Sequence, residues 1–250
     1  MSEEVEQKLL RQIEQLQREM RELKGVDENQ IPTYAFSKVT HTILKKLVDI
    51  KQCIDDTIFD KWFNNGETID KETTNLFTRL IEDNYRLIRD YSEEDLKIKF
   101  LAPILNEIQF KSYKNEFREF YEQPMRYETE DFILNGTTDF VIAKGLFDCE
   151  KPYFFIQEFK KGQTEGYPES QLLSELISAV EINNWDTIKG AYIVGAIWHF
   201  VILKRLKKHK YNYFVSQNFD STKIDDLENI YKNLLFVKNE IVEKIEKENS

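Results

Sequence analysis

The run Tyr153 to Lys160, Y-F-F-I-Q-E-F-K, constrains this chain more than any other stretch. Side chains alternate along a strand, so Phe154, Ile156, Glu158 and Lys160 share one face and Phe155, Gln157 and Phe159 the other. Apolar residues on both faces imply a strand buried on both sides. An acid and a lysine are costly to bury on such a strand, so Glu158 and Lys160 mark a place where charge has a use. The segment Asp131 to Ala143 reads as a neighbouring strand, apolar and partly β-branched from Thr138 onward, with one acid, Asp139. Joined through the Lys144 to Pro152 turn region, the two strands can bring Asp139 beside Glu158. Two carboxylates and an ammonium would then stand at one end of a sheet.

Such a group suits a hard cation. Mg²⁺ keeps several waters and binds phosphate oxygens alongside one or two acidic side chains. A bound metal lowers the pKa of water and stabilises a leaving oxygen, while a lysine positions the attacking water. The reaction this implies is phosphodiester hydrolysis. The plainer alternatives are a surface ion pair for Glu158 and Lys160, a strand-end acid for Asp139, and a solvated helix face for Gln171 and Glu175.

The chain's 250 residues are enough for one sizeable core, or a core with a helical appendage. A hydrophobic content of 41%, with 13% aromatics, excludes global disorder. The net charge of −10, from 45 acids and 35 bases, argues against coating nucleic acid by bulk electrostatics. A bound divalent ion and a local basic patch would still serve a nuclease. Cys53 and Cys149 are far apart, which fits a reducing compartment and offers no zinc spacing. His41, His199 and His209 are scattered, so a histidine-based metal site is not expected. The charged N-terminus lacks the apolar core of a signal peptide, and the most apolar run, Ala191 to Leu203, is shorter than the roughly 20 residues of a spanning helix. The expectation is a soluble, cytoplasmic protein with no membrane association.

Residues 2–24 carry Leu9, Ile13, Leu16, Met20 and Leu23 at heptad spacing. This amphipathic helix is able to pair with a second copy as a homo-oligomer, recruit a partner protein, or lie on the body. Residues 25–33 read as a linker. Near-helical stripes over Ser37–Phe63 (Val39, Ile43, Leu47, Ile50, Ile54, Ile58) and Lys71–Tyr91 predict a helical hairpin, making 25–91 a linker and helical subdomain. The core is then 92–250. Ser92 caps a helix with Glu93 and Glu94 in its first turn, where the dipole stabilises acids, and Pro103 predicts a kink or break.

Three strands follow: one over Glu116–Tyr127, with Pro124 favouring an edge or an end, and then those bearing Asp139 and Glu158. A helix over Glu169–Asn183 has Leu172, Leu176, Ala179 and Val180 toward the core, with Gln171 and Glu175 on another face. Strands over Gly190–Ile197, Trp198–Leu203 and Tyr211–Val215 precede an amphipathic C-terminal helix, Ile224–Lys247. The basic run K-R-L-K-K-H-K, with Lys204, Arg205, Lys207 and Lys208, reads as a loop contacting phosphate or as a charged hairpin turn. Lys161 is a further candidate phosphate contact.

Asp139 in T-D-F-V-I, Glu158 and Lys160 in I-Q-E-F-K-K, the helix beginning Q-L-L-S-E-L and the element order together resemble the PD-(D/E)XK nuclease superfamily. The resemblance is to the nuclease domain at the start of type I restriction enzyme motor subunits and its stand-alone relatives. The S-E-E-D-L-K-I-K-F-L-A-P-I-L helix and the G-A-Y-I-V-G-A-I-W-H-F-V-I-L strand pair resemble the corresponding parts of that group. The match covers about residues 92 to 220 and leaves out the first 91.

The resemblance implies an α/β (α+β) fold with a restriction-endonuclease-like α-β-β-β-α-β core and an N-terminal helical extension. It also implies a metal-dependent nuclease acting on DNA. Asp139 and Glu158 would be ligands of Mg²⁺ (or Mn²⁺), Lys160 would act on the nucleophilic water, Glu93 would be an auxiliary acid and Gln171 an orienting residue. Thr138 stands where the superfamily name has proline. Without a helicase motor or sequence-recognition module in these residues, restriction activity by itself is not implied, and the acidic net charge leaves open a catalytically inactive scaffold or nucleic-acid-binding protein.

Overall fold

The computed structural model describes residues 31–161 and 167–248. The heptad segment 2–24, most of the linker and most of the expected loop 162–168 lie outside them.

The chain opens with β1 (Thr33–Ala35), a 3-10 turn, α1 (His41–Leu47) and β2 (Asp49–Gln52). Then come α2 (Asp60–Phe63), α3 (Lys71–Asn84), α4 (Glu93–Leu96), a π-helical turn (Lys97–Leu101) and α5 (Ala102–Ile108). The remaining elements are β3 (Phe117–Glu128), β4 (Ile133–Lys144), β5 (Glu150–Lys160), α6 (Pro168–Asn183), β6 (Thr187–Val194), β7 (Ile197–Lys207), β8 (Lys210–Asp220) and α7 (Ile224–Glu248). This is a mixed α/β fold around one eight-stranded sheet, ordered β1-β4-β5-β6-β7-β8-β2, with β3 also on β4.

Each sheet face buries an apolar layer, as the two-sided strand pattern demands. Phe140, Phe155, Phe159 and Phe200 pack under α5 and α7, joined by Trp62 and Phe77. Val141, Ile156, Val201 and Leu203 pack under α6, together with Phe36 and Leu44. The α6 helix lies close on β6 because Gly190 has no side chain: a Cβ there would stand 2.8 Å from Ile156 O and 3.0 Å from Leu176 Cδ2. Among the described residues no helix is long and apolar enough to cross a membrane.

The helical hairpin expected over 34–91 is corrected. Ser37–Phe63 is not one helix, because Val48 turns extended after α1 and Asp49–Gln52 adds to the sheet edge, parallel to β8. Helical spacing of apolar residues was matched by chance across that break. Ile54, part of the stripe, is 97% exposed. Nor do these residues stand apart from the core: Trp62 packs edge-on against Phe155 and Phe200 and donates its indole N–H to Asn233 O at 2.8 Å.

At three single positions the pattern reading and the structure agree. Ser92 caps α4, accepting from Asp95 N at 3.0 Å. Pro103, which has no N–H to give to the preceding turn, follows the wide π-helical turn. Pro124 lies on β3, which has β4 as its strand partner.

Candidate active site

The site begins with a parting of strands. β3 pairs along one edge of β4 from Ile133 to Lys144 except at Asp139, so β1 and β5 share the other edge. β1 covers Ile133–Asn135 and β5 begins at Phe140, which leaves residues 136–139 of β4 with no strand on that side. β5 meanwhile runs on past Gln157 with β6 as its neighbour, pairing Glu158 with Tyr192 and Lys160 with Val194. Asp139 and Glu158 stand where the two strands diverge.

The Asp139 carboxylate bridges the gap. Its Oδ2 accepts from Phe159 N at 2.8 Å, taking up a backbone donor that has lost β4 as a partner, and its Oδ1 accepts from Lys97 Nζ at 3.0 Å. Glu158 is fully buried, and Lys160 Nζ donates to its Oε1 at 2.5 Å. Burial pushes the Glu158 carboxyl up to about 8; the charge of Asp139 adds to this and Lys160 opposes it. Burial works against charge on Lys160, but Glu158 outweighs it and holds the ammonium above its usual range.

Behind this pair lies Glu175, fully buried on α6, with its carboxyl raised well above the ordinary glutamate value by burial and then by Glu158. Gln171 is also buried and donates Nε2 to Glu175 Oε1 at 3.3 Å. The solvated helix face considered for this pair is therefore corrected. Its signal was in the sequence, since α6 is small or apolar on nearly all sides between Ser170 and Val180, as a wholly buried helix is.

Lys97 is the residue that sequence reasoning missed. It stands on the π-helical turn, 3.1 Å from Glu93, 3.5 Å from Glu122 and 4.0 Å from Glu94, as well as on Asp139. Burial works against its charge, but Asp139 and Glu93 outweigh it and its pKa is raised. Glu93 thus reaches the site through Lys97. The i,i+4 spacing of Glu93 and Lys97 was the available signal, and it also describes any solvated helix pair.

The structure brings Asp139, Glu158, Lys160, Glu93 and Gln171 into one neighbourhood, and leaves the basic run outside it. Lys204, Arg205 and Lys207 belong to β7, with Lys208 in the turn after it, so the expected loop is corrected to a strand and tight turn. Lys204 is opposite Thr187, five residues from the Tyr192 level of the site, or about 17 Å at roughly 3.3–3.4 Å per residue. Arg205 is engaged with Glu181 at 3.2 Å and Asn184 at 2.9 Å, and Lys204 lies over the Phe214 ring. Lys161 is exposed at the end of β5.

Among the described residues no three His, Cys, Asp or Glu side chains are grouped as a metal-holding set. Two carboxylate oxygens do call for a cation or a proton: Glu158 Oε2 and Glu175 Oε2 are buried without a hydrogen-bond partner. That chemistry fits Mg²⁺, which takes one or two carboxylates and keeps its waters.

No protein-family model matches the chain, and a search of curated proteins finds none similar to it.

Proposed function

We propose that the chain is a divalent-metal-dependent nuclease that hydrolyses phosphodiester bonds in DNA, on a restriction-endonuclease-like core of the PD-(D/E)XK kind. One observation carries this reading: on strands that part, Asp139 and Lys160 flank a buried Glu158 whose second oxygen has no partner. Asp139 and Glu158 would hold Mg²⁺ or Mn²⁺, which when bound acidifies water and stabilises charge on the phosphoryl oxygens. Lys160, kept cationic by Glu158, orients the attacking water as its oxygen bonds to phosphorus and the bond to the leaving oxygen breaks. Gln171 fixes Glu175 behind the ligand, and Glu93 holds Lys97 at the entrance. The helix, three strands, helix, strand order from Glu93 to Val194 supports the same reading.

The test is incubation of the protein with plasmid, linear duplex, single strands and RNA in Mg²⁺ or Mn²⁺. DNA cleavage that is lost in Asp139→Ala and Lys160→Ala is expected. No cleavage by the wild type, or equal cleavage by the variants, overturns the reading. A second reading, a nuclease-like scaffold without catalysis, is favoured by the way Lys97 and Lys160 already take up one oxygen each of Asp139 and Glu158. Calorimetry with Mn²⁺ separates the two, since only the first requires a site that depends on Glu158.

A further inference from the structure

A second polar group adjoins the site on the α6 face of the sheet. Tyr192, the register partner of Glu158, stacks on His199 with ring centroids 4.6 Å apart and donates its hydroxyl to Glu169 Oε2 at 3.4 Å. Glu169 Oε1 in turn lies 3.1 Å from His41 Nε2, and His41 stacks on Tyr213. Burial works to raise the Glu169 carboxyl, but His41, by its hydrogen bond and its charge, outweighs it with help from Tyr192 and keeps it low. Glu169 is a satisfied acid that ties α1 to the helix bearing Gln171.

On the far side of His41 a cavity of about 450 Å³ opens between α1 and β2. It is lined by His41, Lys45, Ile50, Lys51, Gln52 and Tyr213. Every one of these side chains except Ile50 can donate a hydrogen bond. Tyr213 donates to Gln52 Oε1 at 3.4 Å, which leaves the Gln52 amide N–H groups for a ligand. The acids nearby are spent: Glu169 on His41, and Asp49 on Lys210 at 2.8 Å. Lys45 and Lys51 have no ion-pair partner among the described residues. In a chain of net charge −10, this is a cationic, donor-lined hollow connected to the acid–lysine cluster through Glu169 and Tyr192.

We propose that this hollow is a remote phosphate subsite that holds the DNA backbone several nucleotides from the bond to be cut, with Lys45 and Lys51 as its phosphate contacts; Lys51, level with Asn212 and hence with Lys204, stands as far along the sheet as the basic run. The proposal rests on the nuclease reading and assigns α1 and β2 the task of seating the strand. The chemistry recognised is a phosphodiester, and a lone phosphate offers the same oxygens, so the experiment separates the two.

Binding of a short labelled duplex to the full chain is followed by fluorescence anisotropy over a series of salt concentrations, with Ca²⁺ in place of Mg²⁺. The Lys45→Ala/Lys51→Ala variant is compared with Lys114→Ala/Lys247→Ala, an equal charge change at exposed residues beside the end of α7. Losing two phosphate contacts lowers the slope of log affinity against log salt by about 1.8 and weakens binding roughly tenfold or more. The control pair keeps the wild-type slope. Wild-type slope and affinity in Lys45→Ala/Lys51→Ala overturn the subsite alone. Inorganic phosphate that displaces the duplex at comparable concentration overturns the strand assignment. A wild type that binds no duplex brings down the nuclease reading and the subsite with it. Both lysines are solvent-facing, and an unchanged thermal midpoint verifies that the variant is folded.

Discussion

Lys97 Nζ lies 3.0 Å from Asp139 Oδ1, so a lysine occupies ground that a divalent ion would take at the same carboxylate. The same ammonium is shared with Glu93 and Glu122, and together with Lys160 it balances the acids around the parted strands.

Replacing it with an isosteric apolar chain should therefore help a metal to bind. Lys97→Met is expected to tighten Mn²⁺ binding by roughly tenfold, about the worth of one hydrogen bond between charged groups. Calorimetry on the wild type and variant measures this directly. Equal or weaker binding by Lys97→Met would show that the lysine and the metal do not compete.

The buried acid behind the site predicts a pH dependence. Glu175 has a folded-state pKa raised above its unfolded value, so folding takes up a proton. The contribution is complete below the unfolded pKa and is lost as pH rises through the folded one. Glu175→Gln removes the group. In chelator, urea unfolding from about pH 5 to about pH 8 should show the variant gaining on the wild type as pH rises. A stability difference that stays flat over that window would place the Glu175 carboxylate in a far less desolvating environment.

Close packing of α6 on β6 makes Gly190 sensitive to a single methyl. Gly190→Ala forces a contact with Ile156 O and Leu176, and is expected to cost about 1–3 kcal/mol in urea unfolding. Gly66→Ala, where an added Cβ meets nothing within 4 Å, is the matching control and should leave the midpoint nearly unchanged.

Arg205 is expected to matter for stability and not for binding. It holds Glu181, whose side chain is 8% exposed, and its loss leaves that carboxylate nearly buried without its cation. Tyr211 still donates to Glu181 at 2.6 Å, so Arg205→Ala should cost about 1–3 kcal/mol, with nucleic-acid affinity unchanged in any variant that remains folded. A drop in affinity without a drop in stability would return the basic run to the binding surface.

Local patterns were legible in the chain because their causes are local. Alternation along Tyr153–Lys160 placed Glu158 and Lys160 on one face, the Ser92 cap started its helix, and the apolar rows of α6 and α7 marked their buried sides. Side-chain period is a property of a few consecutive residues, and no partner is needed to read it.

What required the tertiary structure was pairing across long separations. The four residues Asp49–Gln52 carry too little pattern to announce a strand, and they become one because β8, some 160 residues later, offers an edge. The parting of β4 from β5, which exposes Asp139 to Phe159 N and to Lys97, depends on β1 taking the remainder of the same β4 edge. The basic run showed the converse: five Lys and Arg within seven residues resembled a phosphate loop, and the register of β6 with β7 carried the run to the far end of the sheet. The amino-acid sequence by itself determined which side chains could carry chemistry. The strand order decided which of them meet, because hydrogen-bond register is set between segments and not within them.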